Sequence, residues 1–424
     1  MKQDNLTLPR GVSDKLHGAA KQIKAIELLV LQVTERWGYQ LVMPAPLEFE
    51  DTLVLGMGSE LLGKAFRLDD WESGRMMAMP PDMTPQIARI SATRLAGKPY
   101  PHRLCYSGTV LRHSERESGR QREVVQAGAE LIGGVSARAD AEVIAMVFEL
   151  ADQFGIRDFT INMSHVGICR GFLDGLPVDA QQKQAVRDAI TRKDVTTVAA
   201  LLKKCLVSEE IVMQARALTR LFGDFSVLEQ ATQIGWNESS QQALEELKAV
   251  MEAVTLHGGD RKKNITFDLG ETRGLDYHTG VTFEGFSTHA GDALFSGGRY
   301  DTLMQNYGVS QPATGFTCNV TAVAAAIGLQ QGLPDSGHDI LFLHYDEEVL
   351  PVVQDLRRDG LSVLVSTEER SLTEGMVYAS AHAIRNLVVK QKLIYSLFVL
   401  DTGRDHRLGE ALDSQQILSL INVT

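Results

Sequence analysis

The spacing of apolar residues changes several times along the chain, and each change predicts a different element. In residues 18–37 and 138–154 apolar positions recur every three or four residues, which predicts two amphipathic helices. Residues 103–112 and 123–133 concentrate apolar residues without helical spacing, which predicts two strands. The charged residues between these strands have no apolar period and predict a loop. This part of the chain is expected to pack helices against a sheet.

The middle of the chain predicts a helical insertion between strands. Residues 166–256 carry apolar residues with a helical period and predict about four to six helices. We place the boundaries of the insertion at about residues 166–260. Strand patterns return at 264–270 and 278–286, and a helix is predicted at 319–328.

A second domain is predicted after a linker rich in turn-forming residues. Residues 330–338 (QQGLPDSGH) are the clearest linker in the chain, so we divide it into domains at 1–330 and 331–424. In the second domain short apolar runs alternate with helical patterns. This alternation predicts a small α/β domain with a mostly parallel sheet.

Composition narrows the class of protein. The chain has 424 residues, with 42 basic and 54 acidic side chains and a net charge of −12, which disfavours a broadly basic nucleic-acid binder. Its four cysteines form no CxxC and its histidines show no ligand spacing, so we predict no metal and no disulfide framework. The N-terminus lacks an apolar signal region and no apolar run could span a membrane, so we expect a cytoplasmic protein.

Three polar segments could carry chemistry, and each also has a simpler explanation. Asp82 and Thr84 could together hold an ammonium group, but an aspartate helix cap with Pro85 in the first turn explains the same residues and is favoured for this segment alone. Gln126 and Glu130, four positions apart on a strand, share one face.

With Arg112 on the preceding strand, Gln126 and Glu130 could bind a zwitterion and a phosphate, or form a solvated charged hairpin. The third segment, residues 273–277 (RGLDY), could be part of a site or a turn with a surface salt bridge. Residues 297–301 (GGRYD) are a glycine turn, which alone is weak evidence for phosphate binding.

In their order along the chain, these segments resemble the core of a class II aminoacyl-tRNA synthetase, in the histidyl-tRNA synthetase branch. The resemblance rests on LPRGVSDKL with GYQLVMPAPLE, RLCYSGTVLRHSERESGRQREVVQAGAELIG, RGLDYHTGVTFEGF and GGRYD, and it covers about residues 8–328. It implies an α+β fold with an antiparallel sheet flanked by helices. The C-terminal domain would then be a degenerate relative of the anticodon-binding domain.

The chain departs from the synthetase motifs at three places. In these departures it is similar to a non-synthetase paralogue, the family of regulatory subunits of ATP phosphoribosyltransferase. The PDMTPQIARI run replaces the synthetase-like PEGT run. Thr321 and Ala322 stand where the synthetase motif 3 has a glutamate and an ATP-clamping arginine, and Ser114 stands where motif 2 has a glutamate. Loss of one such charged contact costs about 3–4 kcal/mol of transition-state stabilisation, so the grip on ATP should be poor.

The resemblance also implies a pocket for L-histidine. The predicted histidine-binding residues are Asp82, Thr84, Arg112, Gln126, Glu130, Arg273 and Tyr277. By resemblance the first two hold the amino group, Gln126 and Arg273 hold the carboxylate, and Glu130 with Tyr277 faces the imidazole. His278 replaces the second aromatic of the synthetase signature, which leaves recognition of the imidazole open.

The function implied is that of a regulatory and activating subunit, with no catalysis and no cofactor of its own. Its partner would be the short catalytic subunit of ATP phosphoribosyltransferase, which performs the first step of histidine biosynthesis. The family implies a hetero-octamer with a dimer of this chain inside it, L-histidine as effector, and no tRNA. Residues 39–50 (YQLVMPAPLEFE), a predicted strand interrupted by Pro44 and Pro46, suit an edge or this dimer interface.

Two alternatives remain. An active histidyl-tRNA synthetase explains the length but conflicts with Thr321, Ala322 and Ser114. A synthetase-like binding module with another partner conflicts with PDMTPQIARI and with the two-domain layout.

Overall fold

The chain folds into two compact units, Met1–Leu333 and Pro334–Thr424. The computed structural model describes residues 7–57, 63–113, 122–258, 261–272, 277–331 and 337–421. Within these ranges no helix is long and apolar enough to cross a membrane.

The helices of the first unit include a long N-terminal helix and a run of six in residues 166–256, all of which the structure describes. They are α1 His17–Arg36, α2 Glu50–Gly56, α3 Thr84–Thr93, α4 Ala137–Gln153, α5 Val166–Asp174, α6 Ala180–Thr191, α7 Val195–Lys204, α8 Glu209–Leu218, α9 Ser226–Thr232, α10 Glu238–Leu256 and α11 Val320–Gln331. The six helices α5 to α10 form the predicted insertion.

The strands of the first unit belong to one large and one small sheet. They are β1 Gln40–Leu41, β2 Glu48–Phe49, β3 Phe66–Asp69, β4 Met76–Met79, β5 His102–Leu111, β6 Glu123–Ile132, β7 Thr160–His165, β8 Phe222–Gly223, β9 Ile265–Asp268, β10 Val281–Phe286, β11 Phe295–Arg299 and β12 Ala313–Asn319.

Within the described residues the large sheet has nine strands in the order β1-β5-β6-β12-β11-β10-β7-β9-β8. All neighbours pair antiparallel except β1 with β5 and β7 with β9. The predicted antiparallel sheet with flanking helices is therefore confirmed. Because β7 and β9 are parallel, the chain must cross over between them, and the helical insertion is that crossover.

Helix α1 illustrates how the apolar pattern determines packing. Ile23, Ile26, Val30 and Val33 lie on one face and are buried in the main core. The helix ends beside Gly38, whose φ of +86° is in the left-handed region that glycine adopts without strain. The prediction for this helix is confirmed to within one residue at each end.

The strand predicted at residues 39–50 is wrong as a single element. It is two short strands in different sheets, because β1 pairs with β5 while β2 pairs with β4 of the small sheet β2-β4-β3. Pro44 and Pro46 lie between the two strands, where neither can donate a backbone hydrogen bond to a strand partner.

The second unit has an α/β fold built on a five-stranded sheet. Its strands are β13 Ile340–Phe342, β14 Val363–Val365, β15 Asn386–Gln391, β16 Ile394–Val399 and β17 Arg404–Gly409, in the order β14-β13-β15-β16-β17. Its helices are α12 Val349–Arg358, α13 Leu372–Ala381 and α14 Ser414–Ile421.

The mostly parallel sheet predicted here is wrong, because two of the four strand pairs are antiparallel. Lys392 adopts a φ of +58° and, with Leu393, closes a two-residue hairpin between β15 and β16. Since Lys392 is not a glycine, asparagine or aspartate, this turn lacks the usual residue pattern of a hairpin.

Candidate functional site

A cavity of about 950 Å³ lies on one face of the large sheet. Its floor comes from β6, β7 and β10 to β12. Its walls come from the start of α3, residues 271–272 and 277–278, and helix α6 of the insertion. A cavity of this size is at the upper end of the range of about 300–1,000 Å³ for small-molecule sites. It is therefore the natural candidate for a ligand site.

The floor is a row of residues that are neighbours across five strands. Glu130 pairs with Gly315, Gly315 with Gly298, Gly298 with Thr282, and Thr282 with Ser164. Paired residues on neighbouring antiparallel strands point to the same face, and all five line the cavity. The row thus runs from a carboxyl group, over two glycines, to two hydroxyls.

The two glycines of the row are required by space. A Cβ atom on Gly315 would overlap the carboxylate of Glu130. Gly298 has a φ of +153°, and a Cβ atom there would press against the backbone of Val281. The middle of the floor is consequently bare backbone on which a planar ring can lie.

Glu130 is 1% exposed and is held by three hydroxyl groups. Thr84 donates to its Oε1 at 2.8 Å, Tyr106 donates to the same oxygen at 3.3 Å, and Tyr300 donates to Oε2. Burial raises the pKa of Glu130 to about 8, although the bonds from Tyr300 and Thr84 oppose the shift. A carboxyl in this position keeps its proton through much of the neutral range.

Asp82 joins three of the predicted residues into one cluster. Its Oδ2 accepts hydrogen bonds from Arg112 at 3.2 Å and from the Gln126 amide at 3.3 Å. Its Oδ1 accepts from the backbone N–H of Thr84 at 3.0 Å, at the start of α3. The predicted aspartate cap is wrong as stated, because the N-cap residue of α3 is Met83, which has no side-chain cap bond. Asp82 precedes it and contacts the N–H of Thr84 with one oxygen and the cluster with the other.

Tyr277 completes the part of the predicted pocket that the structure describes. It lines the cavity, and its buried hydroxyl makes no hydrogen bond with the described residues. Burial raises its pKa, so the hydroxyl stays protonated. The Oε1 atom of Gln126 is also buried without a hydrogen-bond partner in the described ranges. Arg273 lies outside the described residues.

The residues that the resemblance places at the ATP clamp of motif 3 have structural contacts. The Thr321 hydroxyl accepts from the backbone N–H of Val125 on β6 at 3.3 Å. Ala322 packs against the main core, and its N–H donates to the side chain of Asn319 at 3.1 Å. Neither position offers a charge to a phosphate. Ser114, the third departure, lies outside the described residues.

The GGRYD turn contributes Tyr300 to the site, a residue for which the sequence predicted no role. Arg299 is half-buried and forms a salt bridge with the buried Asp140 at 2.7 Å, so its guanidinium is not presented to a phosphate. The next residue, Tyr300, donates to Glu130. Tyr106 was also missed, although it lies on a predicted strand and pairs with Gly128, two residues from Glu130 on β6. Its position on the predicted hairpin was the available signal.

Comparisons with known proteins identify the family. The family model described as histidyl-tRNA synthetase matches residues 11–323. A solved structure of a histidyl-tRNA synthetase from Nostoc superposes with a TM-score of 0.81 at 21% identity, covering 99% of each chain, and shares the fold. A structure from Bacillus halodurans, described as an ATP phosphoribosyltransferase regulatory subunit/histidyl-tRNA synthetase, has a TM-score of 0.80 at 26% identity, covering 92% of this chain and 99% of that one.

The curated relatives narrow the identification. The ATP phosphoribosyltransferase regulatory subunit of Geobacter sulfurreducens is 43% identical over 386 residues, which cover 90% of this chain and 88% of the relative. The regulatory subunit of Syntrophotalea carbinolica is 39% identical over 418 residues, covering 97% and 95%. The fold is that of the histidyl-tRNA synthetase class, whose family model covers most of the first unit. Within that class the chain belongs to the family of ATP phosphoribosyltransferase regulatory subunits, as the sequence motifs predicted.

Proposed function

We propose that this chain regulates and activates a separate catalytic subunit of ATP phosphoribosyltransferase and is not itself an enzyme. Its relatives carry the name of regulatory subunits, and it matches them over most of both lengths. Catalysis would reside in the partner subunit, and the complex would act in the cytoplasm on the first step of histidine biosynthesis.

One contrast carries this proposal, namely a retained amino-acid pocket beside a lost ATP clamp. Glu130, Asp82 and Tyr277 are buried or half-buried around a cavity. Thr321 and Ala322, at the clamp positions, contact the protein's own backbone and core. A site that binds an amino acid but cannot activate it with ATP has the properties of a sensor.

We further propose that L-histidine is the ligand of this pocket. The buried carboxyl of Glu130 and the hydroxyl of Tyr277 offer hydrogen bonds to the imidazole nitrogens, and Asp82 offers a carboxylate to the amino group. Arg273 and Gln126 would hold the ligand carboxylate, with Arg112 keeping Asp82 in place. Feedback needs only about 1–3 kcal/mol of coupling between this pocket and the catalytic subunit.

The proposed assembly is a hetero-octamer that contains dimers of this chain. Two exposed apolar side chains support a self-association surface near β1, because Met43 is 86% exposed and Leu41 is 45% exposed. Sedimentation of the chain alone and with its catalytic partner would measure both states.

The proposal is tested by phosphoribosyl-ATP formation. The short catalytic subunit is assayed alone, with this chain, and with this chain plus L-histidine. We expect activation by the chain and inhibition by histidine. Arg273→Ala should activate normally but abolish inhibition, whereas Arg216→Ala, a change at an exposed arginine of α8, should behave like the parent.

An absence of activation would contradict the proposed function. The next assay would then be histidine-dependent ATP–pyrophosphate exchange by this chain alone. Exchange would support the synthetase alternative, and its absence would support a binding module with another partner. Normal inhibition of Arg273→Ala would contradict only the assignment of Arg273.

A further inference from the structure

The helical insertion meets the RGLDY segment, residues 273–277, at both of its ends. This segment carries Arg273 and Tyr277, two residues of the proposed histidine pocket. The chain enters the segment from Thr272 and leaves it at His278, and both of these flanking residues line the cavity. The function proposed above gives the insertion no role, although its helices contact both flanking residues.

At the first end of the segment, helix α6 holds Thr272. Arg187 donates to the backbone oxygen of Thr272 at 3.2 Å. The Thr191 hydroxyl donates to the backbone oxygen of Arg187 at 2.9 Å, which uses its single hydrogen, so the Thr272 hydroxyl is the donor in its bond with Thr191. Thr272 is only 2% exposed. Two hydrogen bonds to one helix therefore fix a buried residue directly before Arg273.

At the second end of the segment, helix α5 holds His278. A guanidinium nitrogen of Arg170 donates to the backbone oxygen of His278 at 2.7 Å. Hydrogen bonds from a charged donor are roughly twice as strong as those between neutral groups. Among the described residues, Arg187 lines the cavity and Arg170, which is half-buried, does not. Arg170 therefore acts on the backbone of the segment from outside the space that a ligand would fill.

Helix α5 gives Arg170 a rigid support. It follows directly after the floor strand β7 and packs closely against α10. The Ser240 hydroxyl of α10 donates to the backbone oxygen of Ile168 at 2.8 Å, and a Cβ atom on Gly171 would lie 2.7 Å from that hydroxyl oxygen. The Asn237 amide donates to the backbone oxygen of Gly171 at 2.6 Å. Because such close packing transmits displacement, Arg170 links the segment to the rest of the insertion.

We propose that the insertion positions the RGLDY segment for its ligand, with Arg170 and Arg187 as positioning residues at its two ends. This role rests on the function proposed above, in which the segment binds L-histidine. Holding both ends in place before binding lowers the ordering cost that the ligand must meet, and so raises its affinity. Since linkage is reciprocal, bound histidine must in turn stabilise the contacts of α5 and α6 with the segment.

Arg170→Met tests this role without changing the cavity wall. Methionine keeps an apolar stem but removes the donors to His278. In calorimetric titrations of the whole chain, L-histidine should bind this variant about tenfold more weakly than the parent, the effect of one lost hydrogen bond from a charged group. Arg170→Lys keeps a charged donor and should recover most of the affinity. Arg216→Met, at an exposed arginine of α8 in the same insertion, should bind like the parent.

Amide hydrogen exchange gives a second measurement, part of which needs no ligand. The N–H of Thr279, next to His278, donates to the backbone oxygen of Arg299 at 2.8 Å. Without ligand, peptides that cover residues 277–283 should exchange faster in Arg170→Met than in the parent or in Arg170→Lys. Saturating L-histidine should slow exchange in α5 and α6 of the parent, and this slowing should be smaller in Arg170→Met.

Thermal unfolding checks that each variant retains its fold. Thr191→Val keeps the test valid if Arg170→Met does not fold, because position 191 is exposed and the change removes only the acceptor of the Thr272 hydroxyl. Thr191→Val should weaken histidine binding about fivefold, the effect of one hydrogen bond between neutral groups. Thr191→Ser keeps the hydroxyl and should bind like the parent.

Four outcomes would overturn the inference while the parent binds histidine. They are parent-like affinity in Arg170→Met, a loss that Arg170→Lys does not recover, an equal loss in Arg216→Met, and parent-like exchange of residues 277–283 in Arg170→Met. Each of them leaves the proposed function standing. A parent that does not bind histidine would instead contradict the proposed ligand and the positioning role together. An absence of activation would leave the inference unaffected, because neither measurement needs the catalytic subunit.

Discussion

Replacing Glu130 with glutamine should change how the stability of the first unit depends on pH. Glutamine has the shape of a protonated glutamate and likewise offers one acceptor oxygen and donor hydrogens. The hydroxyls of Thr84, Tyr106 and Tyr300 can therefore still contact the side chain at this position. The substitution removes the titration while leaving the packing.

The magnitude follows from the raised pKa. Glu130 has a pKa of about 8 in the folded chain, against an ordinary value of 4.5. Between these values the folded state binds one proton more than the unfolded state, so the stability falls as pH rises and levels off above about pH 8. At about 1.4 kcal/mol per pH unit the loss amounts to about 5 kcal/mol, and Glu130→Gln should not show it.

Tryptophan emission during urea unfolding is a suitable assay. The chain has three tryptophans, Trp37, Trp71 and Trp236, and all of them belong to the first unit. Emission therefore reports on the unit that contains the site. Parent and variant would be unfolded at several pH values between 5 and 9, and the difference in their free energies of unfolding should grow with pH in favour of Glu130→Gln.

The control is Glu210→Gln, at an exposed glutamate of α8, which should follow the parent at every pH. If Glu130→Gln also follows the parent across the range, the Glu130 carboxyl ionises at its ordinary value. The assignment of a proton to this buried carboxyl would then be refuted.

Three further changes test other parts of the structure. Ala322→Arg should not produce histidine-dependent ATP–pyrophosphate exchange, because motif 2 is altered as well, and robust exchange would contradict the loss of the ATP grip. Gly315→Ala should displace Glu130 and abolish histidine binding measured by calorimetry, since the added Cβ overlaps that carboxylate. Arg299→Met should lower the free energy of urea unfolding by about 3–5 kcal/mol, because it leaves Asp140 buried without its partner. A loss below about 1 kcal/mol would show that this pair contributes little to stability.

Much of the first unit could be predicted from the sequence because its elements have strong local patterns. The helix at 137–153 and the paired strands β5 and β6 lie within a residue or two of their predicted positions. Asp82, Glu130 and Tyr277 were selected by motif resemblance, and all three line one cavity. Local apolar periodicity and ordered motifs were sufficient here.

The parts that could not be predicted depend on contacts between distant segments. Tyr300 was assigned only to a glycine turn, and its bond to Glu130 joins residues 170 positions apart. The bridge of Arg299 with the buried Asp140 spans 159 positions. No local pattern encodes such pairings. In the second unit, the hairpin at Lys392 was missed because the turn uses a residue without the usual glycine signal.

The crossover position of the helical insertion has an evolutionary consequence. The insertion leaves the sheet at β7 and returns at β9, its immediate neighbour, so helices can be lengthened, shortened or exchanged without changing the register of any strand in the floor. Helix α6 nevertheless supplies part of the cavity wall. The cavity wall formed by α6 can therefore change between lineages while the floor formed by the sheet is retained. New ligand preferences can arise in this way without loss of the groups on the floor.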